Sequence, residues 1–166
     1  METEYFQDFM PSEACFGCGT KNQNGLHIRS YWEDDIATCV WQPQKHHEGW
    51  LGLTCGGIIA SIIDCHCIAT AMATAVKNEG RSLVSEPHYL FVTGSMNIRY
   101  LQPSPVDSAI RLEAKVTRIK NAKKYSLECA AYVAGEKTAK AEMMALLVYR
   151  SDKPEETPAV FRQASR

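Results

Sequence analysis

The sequence predicts a single α+β domain, in which one long helix packs on one face of an antiparallel sheet. A hairpin pattern lies before residue 42, one helical pattern covers 58–77, and four further strand patterns lie between 89 and 149. The length of 166 residues fits one domain. A lone helix between a hairpin and an antiparallel meander is typical of a helix that covers one side of a sheet.

The hairpin is predicted from two alternating segments, 26–32 and 36–41, joined by a turn at Glu33-Asp34-Asp35. The next segment, 43–54, carries two histidines and two glycines and is predicted to be a long loop without structure of its own. Loops of this length are uncommon in compact domains and are often functional.

The helix is predicted over 58–77 because apolar residues recur at three- and four-residue spacing. These residues are Ile59, Ile62, Ile63, Ile68, Met72 and Val76. Many alanines lie between them, which suits a helix that a sheet wraps on several sides. Gly80 is the predicted C-terminal stop.

Four strands are predicted after the helix, at 89–101, 109–119, 125–133 and 138–149. Gly94 is a predicted bulge or close-approach point inside the first of them. In the second strand, the apolar residues are expected to face the core and the charged residues to face outward.

The chain divides into three predicted parts. Residues 1–14 form a short helix or an ordered arm, 15–149 form the domain, and 150–166 form a tail. The tail is polar and contains two prolines, so we expect much of it to be loose.

Charge and hydropathy exclude several classes of partner. The net charge is −1, with 18 basic and 19 acidic residues well mixed, which argues against nucleic-acid binding. No segment is expected to reach the ~20 apolar residues that cross a membrane. The N-terminus lacks the residue order of a signal peptide, so a cytoplasmic location is expected. Seven cysteines, an odd number, indicate reduced thiols rather than a disulfide framework.

The segment 49–64 (GWLGLTCGGIIASIID) resembles the thioesterase motif of the PaaI-type hotdog family. That motif is a loop, His-Gly-Gly and an aspartate about six residues later, and Gly56, Gly57 and Asp64 fit this pattern. Glu48-Gly49 also resembles a Glu-Gly pair that precedes the motif in mammalian members of the superfamily. Two flanking segments, 15–26 and 97–105, resemble the family's entry and the strand and turn after its helix. The resemblance covers about 15–149.

This resemblance implies a hotdog fold, an antiparallel sheet wrapped around one long central helix, and acyl-CoA thioesterase activity. Coenzyme A would be part of the substrate, and no cofactor is expected. The family's site lies at a subunit interface, which implies a homodimer or a dimer of dimers. Cys55 stands where the family commonly has histidine, so the resemblance leaves the detailed mechanism open.

Four residues are the candidate catalytic groups. The Gly57 N–H at the helix N-terminus is expected to polarise the thioester carbonyl. Asp64, the only acidic residue between 58 and 76, is expected to activate water or to attack the carbonyl directly. Thr93 aligns with a family threonine that orients water or the carboxylate, or is a plain strand residue. Cys55 is a further participant or a small buried residue.

The candidate substrate-binding residues are Gly56, His47, Lys123 and Lys124. His47, with its neighbour His46, either lines the cleft or is exposed, and we expect exposure. The lysines lie in a predicted turn and either meet the phosphates of coenzyme A or form a solvated hairpin tip.

No metal site is expected. A single Cys15-x-x-Cys18 pair is a weak signal, and Cys65 and Cys67 point in divergent directions on a helix.

Two other functions are alternatives to hydrolysis. One is a non-catalytic hotdog protein that binds acyl-CoA or another apolar ligand. The other is a hotdog dehydratase or hydratase, which would need a histidine with an acidic partner. Asp64 and His66 are two residues apart on the helix and do not face each other, which disfavours this reading.

Overall fold

The computed structural model describes residues 3–161, so the predicted tail is described only as far as residue 161, and 1–2 and 162–166 lie outside the described residues. The strands are β1 Ser30–Glu33, β2 Ile36–Trp41, β3 Glu48–Trp50, β4 Leu53–Thr54, β5 Tyr89–Tyr100, β6 Ile110–Lys120, β7 Lys124–Val133 and β8 Glu136–Arg150. The α-helix α1 spans Gly56–Asn78. Short 3₁₀ turns lie at Phe6–Phe9, Lys45–His47 and Pro154–Glu156.

Six strands form one antiparallel sheet in the order β1-β2-β6-β7-β8-β5. The helix α1 lies against β5, β6, β7 and β8, and the core fills the space between them. This arrangement confirms the predicted α+β class with one long helix on one face of the sheet. β5 is one edge of this sheet among the described strands, and its residues lie beside α1.

The helix begins at Gly56 and ends at Asn78, slightly beyond both predicted ends. Its side chains are buried on several sides, as its small and apolar composition predicts. By length and composition it could cross a membrane, so the expectation that no segment is apolar enough was wrong. Within this fold, 72% of its most apolar window is buried. Packing against the sheet therefore accounts for that apolar character.

The first predicted strand, 26–32, is shorter in the structure. Its first half pairs with the loop at residues 15–25, which we call the entry loop, and not with the sheet. The Leu26 and Ile28 N–H groups donate to the Phe16 and Gly17 carbonyls at 2.8 and 3.2 Å. His27, between them, has a positive φ of 52°, which a regular strand does not accommodate. The strand therefore starts at residue 30 rather than 26.

The prediction of an unstructured loop over 43–54 was wrong. This segment contains a single 3₁₀ turn and the short hairpin β3–β4. The hairpin leads directly into the helix N-terminus, so it sets the position of the residues there.

The bulge predicted at Gly94 is confirmed. The pairing of β5 with β8 shifts between Thr93 and Ser95. A side chain at residue 94 would come within 3.1 Å of Leu146 and 3.2 Å of the Met144 carbonyl oxygen, so any larger residue would press on β8. The bulge lies next to Thr93 and affects where that side chain points.

A buried polar network ties the N-terminal arm to the core. The Gln7 amide donates to the Ser30 hydroxyl at 2.9 Å, and its carbonyl oxygen accepts the Ser30 N–H at 2.7 Å. The Ser30 hydroxyl lies 2.8 Å from His66 Nδ1, and His66 Nε2 lies 3.1 Å from the Ala37 carbonyl oxygen. With an N–H at Nε2, the ring donates to Ala37 and accepts from Ser30, so every partner is satisfied. The arm, the β1–β2 hairpin and α1 are thereby fixed together.

Candidate functional site

Two backbone N–H groups are open at the N-terminus of α1. Cys55 is the N-cap residue, and its carbonyl accepts the Ile58 and Ile59 N–H groups at 3.0 and 3.1 Å. The Gly56 and Gly57 N–H groups have no acceptor among residues 3–161. Gly57 is exposed, and it has no side chain to block the approach of a ligand. These amides lie at the positive end of the helix dipole and can bind an anionic oxygen.

The β3–β4 hairpin holds this turn in place. The Cys55 N–H donates to the His47 carbonyl at 2.8 Å, and the Thr54 N–H donates to the Ser104 carbonyl at 2.8 Å. A side chain at Gly49 would come within 2.8 Å of the Cys55 Cα, so glycine is needed there for the hairpin to lie against the turn. This explains the Glu-Gly pair in physical terms.

Asp64 lies two helical turns further on and is half-buried. Its carboxylate accepts a hydrogen bond from the Thr93 hydroxyl of β5. Burial raises the pKa of Asp64, while the Thr93 hydrogen bond acts in the opposite direction. Among the described residues, Asp64 takes part in no ion pair. A carboxylate without a cation, oriented by one hydroxyl, is suited to accept a proton or attack an electrophile.

The open amides and Asp64 are separated along the helix. Gly57 and Asp64 are seven residues apart. At a rise of about 1.5 Å per residue, their backbones are about 10 Å apart along the axis. Two groups that act on one carbonyl must each lie about 3 Å from the reacting atoms. The Gly57 amide and the Asp64 carboxylate are thus two separated halves of the candidate site.

Tyr100, at the end of β5, is a residue of this region that the sequence did not indicate. Its hydroxyl donates to the Gly56 carbonyl at 2.7 Å, and its ring lies beside Gly56. Burial, followed by the charge of Cys55, raises the pKa of Tyr100. The position of Tyr100 at the end of the strand after the motif was visible in the sequence, but its contact with the helix was not.

Cys55 lies beside the open amides but makes no side-chain capping bond. A Cβ placed on Gly57 would be 3.7 Å from the Cys55 sulfur. Trp50 and Leu51, at the tip of the β3–β4 hairpin, are 77% and 86% exposed. This tip gives the region an exposed apolar surface.

The preference for an exposed His47 was wrong. The ring is buried, packs on Trp41 with 5.0 Å between centroids, and its Nδ1 accepts the Gln44 N–H at 2.9 Å. Burial, followed by the charge of His46, lowers the pKa of His47. These contacts give the imidazole a structural role in positioning the hairpin, while His46 is exposed.

Lys123 and Lys124 lie at the exposed turn between β6 and β7. Neither forms an ion pair with any residue from 3 to 161. Lys124 is paired with Leu146, which is paired on its other side with Val92, next to Thr93. Two strand spacings of about 4.8 Å separate Lys124 from Val92. The lysines thus lie two strands from the part of β5 that carries Thr93, and they do not contact the Asp64 carboxylate.

His66 does not face Asp64. It is fully buried, and its two ring nitrogens are used by Ser30 and Ala37. Burial lowers the pKa of His66 to about 4. The expectation that Asp64 and His66 do not act as a pair is therefore confirmed, and the hydratase alternative loses its proton-transfer partner.

Three thiols converge next to Asp64. Cys15 and Cys18 come from the entry loop, and Cys65 follows Asp64 on the helix. The spacing of Cys65 from Cys67 in the sequence did not indicate that Cys65 meets the Cys15-x-x-Cys18 pair. Hydrogen bonding with the Cys18 thiol, then with the Cys65 thiol, lowers the pKa of Cys15, and the pKa of Cys18 is raised to about 12.

A groove of about 610 Å³ lies elsewhere, on the sheet. It is lined by charged residues, including Arg99, Glu113 and Lys115. Neither Asp64 nor Gly57 lines it, so this groove is separate from the candidate site.

The sequence over residues 51–123 matches the model of the thioesterase superfamily. No curated protein sequence matches the chain significantly. Among solved structures, a thioesterase superfamily protein from Shewanella loihica is 28% identical, with a TM-score of 0.59, and the match covers 76% of this chain and 96% of that one.

Two more distant structures share the fold. The PaaI protein of the E. coli phenylacetic acid degradation operon is 11% identical, with a TM-score of 0.61 over 75% of this chain and 81% of that one. A Streptococcus mutans protein solved with bound acetyl-CoA is 12% identical, with a TM-score of 0.59 over 72% and 87%. Together with the six-stranded sheet around α1, these matches confirm the hotdog fold and the resemblance to the PaaI-type thioesterase superfamily.

Proposed function

Because the chain matches the thioesterase superfamily in sequence and PaaI in fold, we propose that it hydrolyses the thioester bond of an acyl-CoA. The observation that carries this proposal is the Asp64 carboxylate, half-buried on the central helix, oriented by Thr93 and paired with no cation among the described residues. Such a carboxylate has a lone pair available for chemistry, and no ion pair gives it a structural role.

The proposed reaction uses the two halves of the site in one step. The Gly57 N–H donates to the thioester carbonyl oxygen and stabilises the negative charge that develops there. Asp64 takes a proton from water as the water oxygen attacks the carbonyl carbon. The carbon–sulfur bond then breaks, the thiolate of coenzyme A leaves and takes up a proton, and the free acid remains. Direct attack by Asp64, through an anhydride that water then cleaves, uses the same groups.

We propose that a homodimer, alone or as a dimer of dimers, completes the site. One chain leaves Gly57 and Asp64 about 10 Å apart along the helix. β5, which carries Thr93, forms an edge of the described sheet over 12 residues. Unpaired strand edges are natural places for a second chain to add. A partner at this edge would bring its own helix N-terminus toward Asp64.

The proposed ligand is a coenzyme A thioester. Proteins of the same fold from Streptococcus mutans and Streptococcus pneumoniae were solved with acetyl-CoA and with coenzyme A. Lys123 and Lys124 are exposed cations without an ion-pair partner among the described residues, and could contact the ligand's phosphates. The apolar tip at Trp50 and Leu51 is a candidate contact for the acyl group. The cytoplasmic location remains a prediction.

A second candidate function is non-catalytic binding of an acyl-CoA. The observation that favours it is Cys55, which stands where the family commonly has histidine and makes no capping bond at the helix N-terminus. In that case Asp64 would be a positioning residue for a bound ligand.

Thiol release from a panel of short, long and aromatic acyl-CoA thioesters separates the two functions. We expect the chain to release coenzyme A from at least one class, with free acid as the second product. Measurable coenzyme A binding with no thiol release from any class would support the binding protein and contradict the hydrolase.

Mixing two inactive variants tests the dimer. Gly57→Pro removes the oxyanion donor, and Asp64→Asn removes the base. If each site uses Gly57 of one chain and Asp64 of the other, a mixed dimer has one intact site, so random mixing restores about a quarter of wild-type activity. No recovery after proven subunit exchange, or a solution mass of one chain, would contradict this arrangement.

A further inference from the structure

A cluster of three thiols lies beside the helix at a position that the proposed hydrolysis does not use. Cys15 and Cys18 come from the entry loop before β1, and Cys65 comes from α1. Their sulfur atoms all lie within 4.8 Å of one another, and the Cys15 and Cys65 sulfurs are 3.6 Å apart. Cys18 and Cys65 are 6% and 7% exposed, so the cluster is shielded from solvent on most sides.

The entry loop is shaped around these sulfurs. A Cβ on Gly17 would lie 2.4 Å from the Cys65 sulfur, and a Cβ on Gly19 would lie 2.4 Å from the Cys15 nitrogen. Both positions therefore require glycine for the loop to close. The Gly19 N–H donates to the Cys15 carbonyl at 2.8 Å and closes the turn.

The loop is also fixed to the body of the domain. The Leu26 N–H donates to the Phe16 carbonyl and the Ile28 N–H donates to the Gly17 carbonyl, while Lys21 N–H donates to the Glu13 carbonyl at 3.0 Å. These bonds hold the Cys-x-x-Cys turn over Cys65. The three sulfurs are thus brought together by backbone structure and not by side-chain flexibility alone.

We propose that Cys15, Cys18 and Cys65 form a thiolate site that binds a soft metal ion, specifically Zn²⁺. Sulfurs bound to tetrahedral zinc at about 2.3 Å lie about 3.8 Å apart, close to the spacing in the structure. Three ligands leave a fourth position for water or an external ligand. Binding of the metal releases the protons of the thiols. The site would join the entry loop to α1 and does not depend on the proposed hydrolysis.

A disulfide is the main competing use of these thiols. One observation favours a metal instead: three sulfurs converge rather than two. A disulfide that includes Cys15 would leave the buried thiol of Cys18 or Cys65 without a partner.

The test is metal uptake by the full-length chain, reduced, stripped of metal and titrated with Co²⁺ as a spectroscopic probe for zinc. We expect thiolate-to-cobalt charge-transfer absorption that saturates at about one equivalent and is displaced by Zn²⁺. Cys18→Ser and Cys65→Ser should each weaken binding by at least the ~10–100-fold that changes around a metal site cause. Cys39→Ala, which removes a buried thiol outside the cluster, is the matched control and should bind as wild type.

The wild-type spectrum decides the question even if a cysteine variant fails to fold. Absence of charge-transfer absorption in the reduced wild type would overturn the proposal, as would binding that survives both serine substitutions. A chain that takes up no metal but forms a Cys15–Cys65 disulfide on oxidation would assign the cluster to redox chemistry and likewise overturn it. Activity is not a readout here, so failure of this proposal and failure of the hydrolase proposal are distinguishable.

Discussion

The Thr93 hydroxyl donates a hydrogen bond to the Asp64 carboxylate, and this bond joins edge strand β5 to the central helix. Gly94, the bulge residue beside Thr93, packs against the neighbouring strand and so helps to set the direction of the hydroxyl. The carboxylate thus has a fixed orientation although it has no charged partner among the described residues.

Thr93→Val should lower kcat for thioester hydrolysis by about 10- to 100-fold, because a hydrogen bond to a charged group contributes about 1.5–3 kcal/mol. Thr93→Ser keeps the hydroxyl and is the control, with activity close to wild type. Wild-type kcat in Thr93→Val with a loss in Thr93→Ser would show that packing of the threonine methyl, not its hydroxyl, matters. Thiol release measured at saturating substrate provides the comparison.

Gly57→Pro and Gly57→Ala form a matched pair that isolates the backbone amide. Proline removes the N–H, and the first helical turn accommodates it better than the interior does. Alanine keeps the N–H, and its Cβ would meet only the Cys55 sulfur at an ordinary 3.7 Å. Loss of an oxyanion donor should lower kcat by ~100-fold or more in the proline variant. A similar loss in both variants would argue for a steric effect and against the oxyanion role.

Ser30→Ala should lower the free energy of unfolding by about 1–3 kcal/mol, because it leaves buried groups of Gln7 and His66 without their partner. Urea titration followed by circular dichroism measures this change. Ser82→Ala, at an exposed position, should change stability by less than ~0.5 kcal/mol. A neutral Ser30→Ala variant would mean that water replaces the hydroxyl in the network.

The stability of the domain should depend on His47 below neutral pH. Burial, followed by the charge of His46, lowers the pKa of folded His47 below its ordinary value of 6.5. As pH falls, the unfolded chain therefore takes up the proton first, and stability is lost below about pH 6.5 while it is complete above that value. His47→Asn keeps an acceptor for the Gln44 N–H and should lose less stability than wild type between about pH 7.5 and 5.5. Parallel pH profiles of the two proteins would contradict this role.

The sequence predicted the helix, the four strands after it and the Gly94 bulge, because each follows from local periodicity or from a residue's conformational limits. It did not predict the hairpin at 48–54. That segment is short, and its pairing depends on contact with the Cys55 turn and not on an alternating pattern.

The sequence likewise predicted only the part of the candidate site that follows from local pattern. Asp64 could be singled out as the acidic residue of an apolar helix, and the Gly56-Gly57 pair as its N-terminus. The cluster of Cys15 and Cys18 with Cys65 joins residues about fifty positions apart, and the contact of Tyr100 with Gly56 spans 44. Contacts of that range depend on tertiary packing, which no local pattern contains.

The most direct test of the central claim is kcat for thiol release in Asp64→Asn against wild type, on the acyl-CoA class that wild type prefers. Asp34→Asn, an exposed turn residue with positive φ where asparagine is tolerated, is the control for the same chemical change. The account predicts a fall of ~100-fold or more for Asp64→Asn, with Asp34→Asn unchanged. An Asp64→Asn variant that folds and keeps wild-type kcat would contradict the assignment of Asp64 as the base or nucleophile.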